Sequence, residues 1–162
     1  MTQILEKTVD QTSTVSQIGE FVVSSNKLIV SDPCYEKGTW CSGLIAPVKN
    51  GTWRATIEIT DEGRALTAKC EEPVGEMEEA PFEVGVDSAQ AGIFCDSLYP
   101  SPENPNREFY ERCCEATQTS PESAGIVMGR GVVANSQDDG SYSAFVGQDE
   151  KGAAVAVRIK FY

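Results

Sequence analysis

Alternation of apolar and polar residues is the clearest pattern in this chain, and it indicates β-strands. Residues 52–60 place four apolar side chains on alternate positions, with Thr, Arg and Glu between them. The closing segment, 153–162, repeats that spacing with a second set of four. Successive side chains of a strand point to opposite faces, so each segment is expected to bury one face and expose the other. The apolar residues are Trp53, Ala55, Ile57, Ile59, Val155, Val157, Ile159 and Phe161.

Turn signals between short apolar runs predict two hairpins in the first third of the chain. Residues 21–23 and 27–30 flank a Ser-Ser-Asn break, and residues 44–48 and 52–60 flank Asn50-Gly51. Asn-Gly suits the positive φ values of a type I′ turn, so a tight hairpin is expected there. Further strands are predicted at 64–70, on both sides of the polar tip 87–90, at 126–134 with a glycine bulge, and at 142–146.

One stretch, residues 106–118, has helical periodicity, because its apolar side chains recur every three to four positions. Asn104 is placed to cap this helix, with Pro105 in the first turn. Residues 99–105 before it contain three prolines and are expected to be irregular. The apolar side chains that define the helix are Phe109, Cys113 and Ala116.

Many strands and one helix predict a mainly β (β+α) fold, an antiparallel β-sandwich or barrel with one packed α-helix. The length of 162 residues suits one domain. We expect residues 20–162 to form a single β-rich domain. Residues 1–19 are rich in Thr, Gln and Ser, and are expected to form a flexible arm or an edge strand.

Charge narrows the choice of partner. Thirteen Lys and Arg against 25 Asp and Glu give a net charge of −12, which repels phosphate backbones and argues against nucleic acid. No apolar run approaches the ~18 residues that span a bilayer, so we expect no membrane partner and a cytoplasmic location. Residues 71–80 hold five glutamates and no basic residue. This segment is either a solvated loop or a docking surface for a basic partner.

The chain contains no histidine, which excludes Ser-His-Asp and Cys-His catalysis. Its six cysteines are irregularly spaced and form no CxxC pair, so reduced thiols are expected and a structural zinc site is not. Carboxylate chemistry remains. We expect no cofactor; the alternative is a divalent cation such as calcium or magnesium, which carboxylates can bind, with its ligands unknown.

Polar residues at the ends of predicted strands are the candidates for a site. Pro33 holds Asp32 extended at a strand end, in a loop where a buried aromatic is expected. A partial copy of segment 87–94 lies at residues 135–142. We expect the loops around these segments to meet if they form a ligand-binding site. Its residues are Asp32, Tyr35, Asp87, Ser88, Asp139 and Tyr142, and none is assigned a catalytic role.

These residues favour a small acidic, non-enzymatic binding module for a protein or a small-molecule ligand. It is expected to act as a phage or mobile-element accessory protein that binds a host factor, with no particular oligomeric state indicated. The alternative is a carboxylate- or metal-dependent hydrolase that uses Asp32, Asp87 and Asp96. Self-assembly through exposed sheet edges is a third hypothesis.

Three motifs together resemble an uncharacterised domain family of bacterial and phage proteins. They are Ile29-Val30-Ser31-Asp32-Pro33, Val86-Asp87-Ser88 and Asp139-Gly140-Ser141-Tyr142, similar to the DP turn, the VDSG-type segment and the GDGSY-type hairpin of that family. This chain has Ala89 and Asp138 where the family motifs have glycine. The resemblance covers most of residues 25–162, and it implies a β-rich fold without an established activity.

Overall fold

A computed structural model describes residues 13–161 as two antiparallel sheets with one helix. The first sheet has six strands in the order β1-β4-β5-β11-β10-β6, and the second has five in the order β3-β2-β7-β9-β8. The predicted fold class is confirmed, and the sheets form a sandwich. The elements are β1 Thr14–Val23, β2 Leu28–Ser31, β3 Gly43–Ile45, β4 Gly51–Thr60, β5 Gly63–Lys69, β6 Glu78–Val86, β7 Gln90–Cys95, α1 Phe109–Thr119, β8 Ala124–Ile126, β9 Gly131–Asn135, β10 Gly140–Gln148 and β11 Ala154–Phe161.

The second sheet is covered on both faces. One face packs against the first sheet around Trp53, Leu66 and Ile93, which are fully buried. The other face packs against α1, where the rings of Phe94 and Phe109 lie 5.0 Å apart in an edge-to-face arrangement. All six residues of β7 are therefore buried, and after Gln90 its sequence is apolar without alternation.

The two hairpins predicted near the N-terminus are wrong. The strands exist, but β1 and β4 pair within the first sheet, whereas β2 and β3 belong to the second. Each turn therefore carries the chain from one sheet to the other. The turns are tied together, because the N–H of Asn26 donates to Oδ1 of Asn50 at 2.7 Å. A turn signal marks where a strand ends and leaves its hydrogen-bonding partner undetermined.

The predicted helix begins later than its capping signal indicated. Glu108 occupies the N-cap position and makes no side-chain cap, so the assignment of that role to Asn104 is wrong. Asn104 instead exchanges backbone hydrogen bonds with Ser101 in the irregular segment. The single strand predicted at 126–134 is also wrong. Positive φ values at Met128 and Gly129 turn the chain between β8 and β9.

Strand β1 lies at the edge of the first sheet and begins within the segment predicted to be an arm or an edge strand. Residues 1–12 of that segment lie outside the described residues. Among residues 13–161, no helix combines the length and apolar character required to cross a membrane.

Substitution of Phe109 by Ala should lower the free energy of unfolding by about 3–5 kcal/mol, because it empties the contact between α1 and the second sheet. Phe109 is fully buried, and its ring packs on those of Phe94 and Tyr99. Urea denaturation followed by circular dichroism measures the change. The neighbouring Tyr110, which is 42% exposed, is the matched control, and Tyr110→Ala should cost about 1 kcal/mol or less. Equal losses in the two variants would contradict this packing.

Candidate functional site

The carboxylate of Asp32 is the centre of the predicted site, and it is fully buried. Its Oδ1 accepts hydrogen bonds from the N–H of Cys34 at 2.9 Å and from the hydroxyl of Ser88 at 2.6 Å. Its Oδ2 accepts from the N–H groups of Asp87 and Ser88, both at 2.7 Å. The bond from the N–H of Cys34 closes an Asx turn that begins at Asp32 and spans Pro33. The carboxylate thus joins the β2–β3 loop to the β6–β7 loop.

The side chain of Tyr99 also holds the β2–β3 loop in place. Its buried hydroxyl lies 2.7 Å from the carbonyl oxygen of Tyr35 and 3.1 Å from both the carbonyl oxygen of Asp32 and the Oγ of Ser31. Burial raises the pKa of Tyr99, so the phenol keeps the proton that it donates. The aromatic side chains between the second sheet and α1, to which Tyr99 belongs, therefore fix the backbone of the loop.

The third loop contacts the second. Oδ1 of Asp139 accepts a hydrogen bond from the N–H of Ala89 at 2.9 Å, and the carbonyl oxygen of Ala89 accepts one from the N–H of Ser136 at 2.9 Å. The expectation that these loops meet is confirmed. Ala89 has φ +59°, the conformation that glycine adopts freely at this position of the VDSG motif. In the third loop the positive φ, +76°, belongs to Gln137 and not to Asp138.

The six predicted site residues differ in what they offer to a ligand. Asp32 is buried with both carboxylate oxygens engaged, and Ser88 donates its hydroxyl to it. Tyr142 is buried, its ring lies 5.3 Å from that of Phe161, and its hydroxyl donates to the carbonyl oxygen of Asp138. The side chains that reach solvent belong to Asp87 and Asp139, which are exposed, and to Tyr35, which is half-buried.

Two adjoining open depressions, which share Pro81 and Phe82, lie beside these loops between an edge strand of each sheet, β3 and β6. Together we call them the edge groove. Its apolar residues include Trp40, Leu44 and Val74, with exposed fractions of 91%, 57% and 60%. Tyr35, a residue of the predicted site, lines it at the loop end. The edge groove is defined by Tyr35, Trp40, Leu44, Val74, Glu76, Glu78, Glu79, Pro81, Phe82 and Glu83.

Two glycines shape the edge groove. A Cβ on Gly43 would lie 2.2 Å from the ring of Phe82, so only glycine lets that ring lie against β3. A Cβ on Gly85 would lie 2.7 Å from the Cβ of Cys41, and the N–H of Gly85 donates to the carbonyl oxygen of Cys41 at 2.8 Å. The close approach at Gly85 seats the loop that presents Trp40.

Trp40 is the main residue that sequence reasoning missed. An aromatic side chain in this loop was expected to be buried. This is wrong for Trp40, which is exposed, whereas Tyr35 is half-buried. Phe82 and the two glycines also went unnoticed, because their role depends on strands that are distant in sequence. The sequence did contain one signal for this exposure. The tryptophan lies in Gly-Thr-Trp-Cys, where apolar and polar residues do not alternate, and this is typical of an aromatic in a loop outside the core of a strand.

Two of the three carboxylates proposed for the hydrolase alternative are engaged by other parts of the chain, whereas that of Asp87 is exposed. Asp96 pairs with Lys37 at 3.0 Å between Oδ1 and Nζ, and Asp32 holds the loops together. Within the described range, no three His, Cys, Asp or Glu side chains are grouped in a way that could hold a metal ion.

The cysteines are free thiols, as the sequence predicts. Cys34 is exposed beside the Asp32 carboxylate. Although the residue is exposed, partial desolvation of its sulfur, a hydrogen bond to Asp32 and the negative charges of Asp32 and Asp87 raise the pKa of Cys34 from 9.0 to about 12. Because the unfolded thiol titrates first, stability should fall as pH rises from about 9 to about 12, and it is unaffected by this group below pH 9.

Replacement of Asp32 by Asn should lower the free energy of unfolding by about 2–4 kcal/mol. The carboxamide has one acceptor oxygen, and its NH₂ would face the N–H groups that the carboxylate now accepts. Urea denaturation gives the value. Asp87→Asn removes the same charge from an exposed side chain in the same cluster and should cost about 0.5 kcal/mol or less. A loss for Asp32→Asn that is no larger than this control would rule out the proposed role.

Alkylation should reveal the raised pKa of Cys34. At pH 9.5, iodoacetamide should modify Cys34 in the native protein more than about tenfold more slowly than in the urea-unfolded chain, because the thiolate is the nucleophile. Peptide mass spectrometry after quenching measures the rate. The native rate should still be rising at pH 10.5, whereas the unfolded rate levels off. Native and unfolded rates that level off at the same pH would contradict the assigned cause.

Comparison with known proteins returns no match: no family model, curated protein or solved structure matches this chain. The resemblance to the family with DP, VDSG-type and GDGSY-type motifs therefore stays a prediction. Function has to be argued from the geometry of the loops and the edge groove.

Proposed function

We propose that this protein is a small acidic binding module without catalytic activity, and that it captures a protein partner at the edge groove and the adjoining loops. The observation that carries the proposal is the 91% exposure of Trp40 in an edge groove that also leaves Leu44 and Val74 more than half exposed. Large apolar side chains exposed on a surface and rimmed by polar residues are typical of interaction sites. Aromatic anchors such as Trp and Tyr contribute most to binding energy at such sites.

The loops give this surface a fixed shape. Asp32 and Tyr99 hold the backbone that leads to Trp40, and Gly85 seats the end of that loop on β6. A partner would thus meet preorganised side chains and lose less entropy on binding. Asp87 and Asp139 are exposed in the adjoining loops. Exposed charges at the edge of an interface speed the association of a partner and add little to its affinity.

A protein partner suits the edge groove better than a small molecule. Small-molecule sites are usually concave and cover most of the ligand surface. The edge groove is open, and its chief aromatic residue is almost fully exposed. In the biological setting we propose a phage or mobile-element accessory protein that acts on a host factor. No observation favours the hydrolase alternative, since the carboxylates of Asp32 and Asp96 are occupied.

Selection from a random peptide library of about twelve residues, an extended length of roughly 40 Å, tests the proposed function. Enriched peptides should bind the native protein and lose at least about tenfold in affinity for Trp40→Ala, since truncation of an aromatic anchor costs more than about 1.4 kcal/mol. Isothermal calorimetry measures the affinities. Because Trp40 is exposed, its substitution should leave the fold intact, which circular dichroism checks.

Met128→Ala is the control, since Met128 is 46% exposed in the turn between β8 and β9, away from the residues that define the edge groove. Its affinities should match those of the native protein. A library that yields no binder, or binders that are indifferent to Trp40→Ala, would overturn the proposed function.

A further inference from the structure

The acidic residues of the edge groove indicate the charge of its partner. Four glutamates line it, all exposed, and the lining contains no lysine or arginine: Glu76, Glu78, Glu79 and Glu83. Five ion pairs occur among residues 13–161, and none includes these glutamates. Two of the four contact only hydroxyls, with Glu83 accepting from Ser141 at 3.1 Å and Glu79 from Ser143 at 3.5 Å. Within residues 13–161, no basic side chain neutralises these four carboxylates.

Apolar and acidic side chains share this surface, so one occupant has to satisfy both. A segment that covers Trp40, Leu44 and Val74 brings its own backbone next to the glutamates. Desolvation of a carboxylate without a counter-charge is costly, and a basic side chain from the partner offsets that cost. A second copy of this chain would bring another net charge of −12, and like charges across an interface oppose association.

Strand β6 is protected from pairing with an added strand of a partner. The partner therefore has to be recognised through side chains. Pro81 has no N–H to offer an added strand, and the N–H of Gly85 is already bonded to the carbonyl oxygen of Cys41. A register shift between Ser143 and Phe145 also distorts the pairing of β6 with β10. These features protect an edge strand from sheet extension. On the opposite wall, β3 has only three residues.

We infer that the edge groove binds an extended, basic segment of a partner protein, in which arginine or lysine alternates with bulky apolar residues. The apolar side chains cover Trp40, Leu44 and Val74, and the basic side chains pair with the four glutamates. This inference rests on the proposed function and specifies the chemistry of the partner.

The two tryptophans provide a reporter for this inference. Trp40 is 91% exposed and lies in the edge groove, whereas Trp53 is fully buried and donates its indole N–H to the carbonyl oxygen of Lys49. Acrylamide should therefore quench Trp40 and leave Trp53 almost unaffected. Occupation of the edge groove should protect Trp40 and shift its emission to shorter wavelength. In Trp40→Phe, the remaining emission should not respond.

The probes are blocked peptides of about eight residues, long enough to extend roughly 26 Å. One alternates arginine with leucine, a second replaces arginine by glutamate, and a third replaces leucine by serine. The arginine–leucine peptide should protect Trp40 in a saturable way. The glutamate–leucine peptide should not protect it, and the arginine–serine peptide should bind at least about tenfold more weakly, since each buried leucine contributes about 1.5–3 kcal/mol.

Charge-matched variants separate local pairing from the net charge of the protein. Glu79→Gln with Glu83→Gln should weaken the arginine–leucine peptide by about three- to tenfold, the effect of two exposed ion pairs. Glu103→Gln with Glu150→Gln makes the same change in net charge at exposed positions outside the edge groove, and should leave affinity within about twofold. Equal effects of the two double variants would overturn the inference.

The remaining outcomes separate this inference from the proposed function. If library peptides bind in a Trp40-dependent way but carry no excess of arginine or lysine, the function stands and the basic partner is wrong. If neither they nor the probes depend on Trp40, both fail. If Trp40 becomes protected as the protein concentration rises without peptide, and sedimentation shows a dimer, the occupant is a second copy and the inference is overturned.

Discussion

The hydrogen bonds of the buried Asp32 carboxylate are the interactions on which the loop end of this molecule depends. A charge without solvent is stable only when hydrogen-bond donors surround it, and here three backbone N–H groups and one hydroxyl do so. The same bonds satisfy N–H groups at the tip of the β6–β7 loop, which a buried loop otherwise leaves unpaired. One side chain therefore fixes two loops from different parts of the sequence.

The shape of the edge groove follows from that anchor. Asp32 and Tyr99 fix the start of the loop that Gly85 seats on β6, and this loop presents Trp40. Asp32 is thus a positioning residue, whereas Trp40 is the residue that a partner would contact. The distinction explains why the most conspicuous motif of the sequence and the most exposed aromatic of the fold are different features of one surface.

Local sequence patterns predicted most of the strands correctly, whereas the pairing of strands that are distant in sequence was not predictable. Alternation identified β4 and β11, and the Asp-Pro signal identified the end of β2, because each depends on neighbours in sequence. The hairpin expected at Asn50-Gly51 failed, because its two strands face each other across the core in different sheets. The position of the loop that carries Trp40 was equally inaccessible, since this loop approaches the distant Gly85 through Cys41.

Four connections carry the chain between the sheets: β1 to β2, β3 to β4, β6 to β7 and β9 to β10. Neither sheet is built from one continuous stretch of sequence, so neither can persist when the other melts. The edge groove takes one wall from each sheet, β3 and β6. The edge groove therefore forms only when both sheets are folded. Local unfolding of either sheet therefore removes one wall of the edge groove.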